Sequence, residues 1–283
     1  IGKVDLGVLY TILILLAIGV VMIYSASSFY SMFHYNDSMF YLKKQGIMAV
    51  IGLVAMFFMM NFDYHRLKKI TPKLLIITIP LLIAVFFFPA VNGAKRWIQL
   101  GGLSFQPSEL TKYVVVLFLA LSIDIKGDGI KDFWTGIVPY LALSGFFAAL
   151  VLAEKNLSIA AIIMIVTFIL LFISGGKIKH LFGIVLPTLL TLAIFFIFSS
   201  DYRRARMLNF IDPWKDAAGD GYQLIQSFYA LGSGGITGLG LGQSRQKTLY
   251  MPEPHNNFIF SIIGEELGLI GCLIIISLFI IFI

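Results

Sequence analysis

The chain has 283 residues, 59% of them hydrophobic and only 13% charged, about half the charged fraction of soluble domains. That composition excludes a soluble enzyme and indicates an integral membrane protein, and a single cysteine, Cys272, excludes an internal disulfide framework. The net charge of +6 is first a matter of membrane orientation, because cationic loops set topology, and gives no reason to invoke nucleic acid.

Apolar runs able to cross a hydrocarbon core of ~30 Å as helices of about 20 residues lie at 6–25, 45–62, 74–90, 133–153, 156–173 and 181–199. A shorter run at 109–123 and a last one from Phe258 onward bring the expected helices to eight. The first follows Lys3 and is trailed by Ser25, Ala26 and Ser27, as in a secretory signal. It is long for such a segment and seven spans follow, so it reads as a retained helix. The last run reaches Ile283 with no polar residues after it and is expected to continue.

With the N-terminus inside, the inner segments hold Lys3, Arg66, Lys68, Lys69, Lys73, Lys126, Lys131, Lys177 and Lys179, and the short outer loops Lys43, Lys44, Lys95, Arg96 and Lys155: nine against five. The six cations of the segment 200–257 count for little, since long loops translocate largely regardless of charge. The expected architecture is therefore all-α: a single-domain polytopic helical bundle over residues 1–283 with two large outer loops, 91–108 and 200–257. Most other connections are plain turns, "KGDG" among them. Loops longer than about 15 residues in a compact protein are usually functional or disordered. The spacing of Tyr222, Ile225, Phe228 and Tyr229 predicts a short amphipathic helix in the second loop and favours function.

Within the first loop, "KRWIQ" sets Lys95 and Arg96 beside Trp97, which suits either an anionic phosphate ligand or an interfacial anchor. In "QPSELTK", Pro107 fits the first turn of a helix. Glu109 and Lys112 then share one face, three residues apart, as a functional pair or one that fixes helix depth. In the second loop, "YRRARM" puts Arg203 and Arg204 directly after a span, where an anionic partner fits. "GSGGITGLGLG", with Ser233, matches neither phosphate-loop pattern. Its glycines serve tight packing or a backbone cradle for a lipid-linked pyrophosphate. Lys247, Glu253, His255 and Asn257 lead into the last span, where Glu265 lies eight residues past Asn257, about 80° round a helix. Glu265 is therefore expected to line the same cavity as Asn257, and Glu266 to pair with another helix. No spacing reads as a structural zinc site.

Two blocks, "NGAKRWIQLGGLSFQPSELTK" and "DPWKDAAGDGYQLIQSFYALGSGGITGLGLGQSRQKTLYMPEPHNNFIFSIIGEELGLIG", resemble the SEDS family of shape, elongation, division and sporulation proteins. "YSAS", "MNFDY" and "GLGQSRQK" are more similar to its FtsW and SpoVE branch than to RodA. The resemblance implies a peptidoglycan glycosyltransferase of the bacterial cytoplasmic membrane. Such an enzyme polymerises lipid II on the extracytoplasmic face, releases undecaprenyl pyrophosphate, and works with a class B penicillin-binding protein among membrane lipids. It also implies ten spans, two more than the chain shows.

Carried over by position, Arg96, Trp97, Glu109 and Lys112 match residues important for activity. The catalytic aspartate expected before "FIF" is Asn257 here, and an amide cannot serve as a general base. In "AEKNLS", Glu154 and Asn156 stand where many members have the Gln and Asp of a Gln-Pro-Asp-Leu-Gly motif. The resemblance thus implies an enzyme impaired at its base position, by engineering or by nature. A lipid-precursor transporter and a non-catalytic scaffold for the penicillin-binding protein remain as alternatives, and a divalent cation at the pyrophosphate stays open.

Overall fold

A computed structural model describes residues 4–91, 93–100, 103–219, 221–248 and 250–283; Lys3, counted among the inner cations, lies outside the described residues. In chain order the helices are α1 (Leu6–Tyr35), α2 (Phe40–Met60), α3 (Leu67–Ala84), α4 (Pro107–Lys126), α5 (Val138–Ala153), α6 (Leu157–Ile173), the single turn α7 (Ile178–His180), α8 (Leu186–Phe198), α9 (Asp201–Ile211), α10 (Tyr222–Gly234) and α11 (Ile259–Phe282). Strands β1 (Ile98–Leu100) and β2 (Leu103–Phe105) pair antiparallel, Ile98 opposite Phe105. The nearly all-helical fold is as expected, and each expected span corresponds to a helix.

Local chemistry sets the ends. Asp5 accepts from the amides of Gly7 and Val8 at the start of α1, and Asn36 in the left-handed region closes it. α1 runs ten residues past its expected end at Ser25, because the serine-rich stretch keeps helical hydrogen bonding. α3 starts and stops earlier than its apolar run: it takes in the basic first turn and passes into a 3-10 turn at Val85–Phe87. The "KGDG" turn is also 3-10 (Gly127–Lys131), and five-residue π stretches lead into α5 and α8.

Two compact units emerge, Asp63–Ser199 and Ile1–Phe62 with Ser200–Ile283. In the first, α3 to α6 pack around Leu82, Val115, Leu119, Ile137, Phe147, Val151, Ile163 and Leu171. At one end Lys68 pairs with Asp124 at 3.0 Å and the rings of Phe133 and His180 meet at 5.2 Å. At the other end Arg96 bonds to the turn between α5 and α6. Among the described residues, six helices are long and apolar enough to cross a membrane, by length and composition. α4 is not among them, and α6 has only 17 residues. Yet Arg96 precedes α4 and its partners follow α5, so these two connections share an end only if α4 and α5 run the same course in opposite directions. α4, with 20 residues, is about 30 Å long, and its charged residues lie toward its ends, leaving Tyr113–Ile123 uncharged.

In the second unit, Met22 and Ala26 of α1, Ala230 of α10, Met251, and Ile262, Ile263 and Ile275 of α11 form the core. α11 is broken at Gly268, whose φ of 67° and ψ of −166° are non-helical. The glycine-rich segment fills the break. Leu239 and Gly240 donate to the carbonyls of Glu265 and Glu266, and Leu269 and Ile270 donate to those of Gly235 and Ile236.

Candidate functional site

Two polar clusters form, one in each unit. The first is built on the loop between α3 and α4. Arg96 sends Nε to the carbonyl of Glu154 at 3.3 Å and Nη2 to that of Lys155. Lys155 holds a left-handed backbone, reaches Gly93 O at 3.4 Å, and is followed by Asn156, which caps α6 by accepting from Ile159 N. Lys95 donates to Phe86 O at 2.8 Å. The cations expected to face a phosphate therefore spend donors on stitching the loop to neighbouring carbonyls. Trp97 is half-buried just ahead of the hairpin. Glu109 and Lys112 form the expected ion pair at 2.7 Å, the lysine more buried than the glutamate.

Beneath this loop lies Glu154, 1% exposed, with neither carboxylate oxygen in a hydrogen bond among the described residues. It sits in the turn between helices, outside the apolar spans. Burial pushes its carboxyl up to about 7, while the nearby Ser108 hydroxyl and Arg96 guanidinium pull it back only in part.

The second cluster surrounds the start of α11. Lys247, buried, pairs with Glu266 at 2.7 Å, and Ser25 of α1 donates to both Glu266 oxygens at 2.8 and 2.6 Å. Glu266 thus bonds to another helix, as its phase predicts. Glu265 accepts from the Ser244 hydroxyl and from the amides of Arg245 at 2.9 Å and Gln246 at 3.4 Å. Loop 244–246 takes the Glu265 carboxylate, and Asn257 is exposed in the turn before α11.

A cavity of about 750 Å³ lies between the C-terminal half of α1 and residues 241–248, with Ser25, Ser28, Arg245 and Lys247 on its polar side and Phe29 and Met32 on its apolar side. Ser233 bonds to Ala230 O of its own helix, and Arg204 sits 3.7 Å from Asp201 on α9. Arg203 lies on the same helix, half-buried.

Residues 250–258 turn repeatedly, pinned at two points. Met251 enters the core, and His255 packs its ring 3.9 Å from Tyr41 and 5.5 Å from Tyr30. Both imidazole nitrogens are buried without a hydrogen-bond partner among the described residues, and burial lowers the His255 pKa, opposed by Glu253. Glu253, at a strained φ of 44°, accepts from the Asn256 amide at 2.8 Å. No group of three or more His, Cys, Asp or Glu that could hold a metal ion occurs among the described residues.

The glycine-rich segment packs against α11. Its Leu239 and Gly240 amides are engaged by α11, and a side chain on Gly234 would overlap the Gly264 carbonyl. Sequence reasoning missed Glu154 as a site residue, although a lone carboxylate between two apolar spans was the signal. It also missed α9 and the hairpin.

Fold and clusters together define a multi-pass helical membrane protein with polar residues anchored at loop junctions. The cell cycle protein family of FtsW, RodA and SpoVE matches residues 6–283, and the chain belongs to it. It is 40% identical over 279 residues to the probable peptidoglycan glycosyltransferase FtsW of Geobacter sp. (strain M18), covering 97% of this chain and 76% of the relative. Stage V sporulation protein E of Bacillus subtilis (strain 168) is 39% identical over 281 residues, with the same coverage. A chain of a peptidoglycan synthase complex, described for its coordination of polymerization and crosslinking, superposes with a TM-score of 0.75 at 27% identity, over 98% of this chain and 75% of the other. The rod shape determining protein RodA of Thermus thermophilus, at 22% identity and TM-score 0.65 over 98% and 72%, shares the fold.

Proposed function

We propose that this protein is of the lipid II polymerase type, a peptidoglycan glycosyltransferase acting on the outer face of the cytoplasmic membrane beside a class B penicillin-binding protein. The observation that carries the reading is likeness along nearly the whole chain to relatives named for that activity, at about 40% identity. Chain extension requires an acceptor hydroxyl to attack an anomeric carbon as undecaprenyl pyrophosphate leaves, so a base takes the proton and cations steady the leaving group. Lys95, Arg96, Trp97, Glu109 and Lys112 form one proposed substrate-binding set; Arg203, Arg204, Ser233, Lys247, Glu253, His255 and Glu265 form the other. Asn257 occupies the position of the base and hydrogen-bonds without accepting a proton. General bases contribute about 10²- to 10⁴-fold, so the protein with Asn257 is a severely slowed polymerase.

The test is lipid II polymerisation by the purified protein with its penicillin-binding partner, with and without Asn257→Asp. Glycan strands that rise by roughly 10²-fold or more with Asp identify residue 257 as the base. Equal activity moves the base elsewhere, with Glu253 first. The amide at 257 also favours a scaffold without chemistry, and silence from both proteins while the partner stays bound selects that reading.

A further inference from the structure

Glu154 is the one acidic side chain named above as buried with both carboxylate oxygens unpartnered, and it sits where two segments of one unit are stitched together. Three contacts join residues 93–96 to the turn between α5 and α6: Arg96 to the carbonyls of Glu154 and Lys155, and Lys155 to Gly93 O. The guanidinium therefore bonds to the backbone of the very residue whose carboxyl lies idle beside it. That arrangement suits a neutral carboxyl. An ionised one, buried with the Ser108 hydroxyl as its nearby donor, is costly, and the charge placed to relieve it is Arg96. The other group acting on it is the Ser108 hydroxyl from α4; along its own turn, Lys155 reaches Gly93 O and Asn156 accepts from Ile159 N.

We propose that Glu154 is a proton-operated positioning residue for the Arg96 loop: protonated, it leaves the guanidinium on the two carbonyls, and ionised, it draws the guanidinium away and unseats residues 93–97. The proton passes to solvent, and no other bond is made or broken. Because the carboxyl titrates near neutrality, the loop changes state within the range a cell envelope experiences. The bearing on catalysis rests on the polymerase reading, in which Lys95, Arg96 and Trp97 meet the lipid-linked pyrophosphate; the switch itself does not.

The experiment is amide hydrogen exchange of residues 93–99 in the purified full chain, comparing wild type with Glu154→Gln at each pH from 5 to 8.5, so that the intrinsic pH dependence of exchange cancels. Matching melting temperatures at pH 5 establish that the variant folds. The ratio of wild-type to variant exchange is expected to climb from pH 5 upward by up to about tenfold per pH unit and to level off above about 7. A ratio that stays flat from pH 5 to 8.5 overturns the switch and leaves the polymerase reading untouched. Undecaprenyl pyrophosphate binding decides the other claim: unchanged affinity in Arg96→Gln removes the loop from the substrate site, whatever the exchange ratio shows.

Discussion

Two buried titratable side chains tilt stability in opposite directions with pH. The Glu154 carboxyl is raised from an ordinary 4.5 to about 7, so the native state holds a proton that the unfolded chain has released. Stability is full below about pH 4.5 and declines as pH climbs through 7, by at most about 3 kcal/mol at 1.4 kcal/mol per unit. His255 behaves the other way. Its pKa is lowered from 6.5, the unfolded chain binds the extra proton, and stability declines as pH falls below 6.5. Melting in detergent between pH 5 and 7 should therefore show a rising trend in Glu154→Gln and a falling one in His255→Phe; parallel trends in the two would show that neither burial matters. The Lys247–Glu266 pair is a third residue-scale case. Lys247→Met leaves the Glu266 charge buried and should cost about 3–5 kcal/mol, whereas Lys247→Met with Glu266→Gln should recover most of it. A single variant no less stable than the double one would mean that Ser25 and the Ser244 amide already suffice for that carboxylate.

The element that organises the second unit is α11, because its helical hydrogen bonding is interrupted where the glycine-rich segment crosses it. Gly268 has φ +67°, and a side chain there would collide with the amide of Gly238 and the carbonyl of Ile236. Gly268→Ala should destabilise by about 3 kcal/mol through backbone strain and overpacking. Gly46→Ala in α2, with nothing within 4 Å of the added carbon, should instead gain up to about 1 kcal/mol from helix propensity. Unfolding midpoints of both variants check the contrast. This break explains what the sequence could and could not disclose. Length and hydropathy located the spans, since a bilayer fixes how long an apolar helix must be, and the period of Tyr222, Ile225 and Phe228 located α10. The packing of "GSGGITGLGLG" was not legible, because only its tertiary partner shows that the Leu239 and Gly240 amides are bonded. Likewise, helical phase gave no sign of the loop that folds back to bind the Glu265 carboxylate. The hairpin within 91–108 escaped notice because three-residue strands carry too little alternation to detect. The pairing of Glu109 with Lys112 was legible because three-residue spacing on a helix admits little else.

At the scale of the whole molecule, function depends on which side of the membrane each loop faces. The eight crossings expected from the sequence, with α7 and α8 as one, would alternate the connections; six of the helices among the described residues meet the length and hydropathy for a span. The contact of Arg96 with residues 154 and 155 requires the α3–α4 and α5–α6 connections to share a side, and the contact of Lys68 with Asp124 does the same for the ends that precede α3 and follow α4. Those contacts fix the relative faces of that unit but not which is outside; from the cationic bias of the sequence we propose that the Lys68 end is cytoplasmic. The lone Cys272 is buried, so in a Cys272→Ala background single cysteines report the orientation. Lys95→Cys and Glu253→Cys should react with an impermeant maleimide on intact spheroplasts, and Asp128→Cys and Lys177→Cys only after permeabilisation; all four parent residues are exposed. The reverse pattern would put the Arg96 loop and Asn257 in the cytoplasm. The protein would then meet lipid II only before export, where glycan strands are not assembled, and the polymerase reading would fall even if Asn257→Asp proved active in detergent.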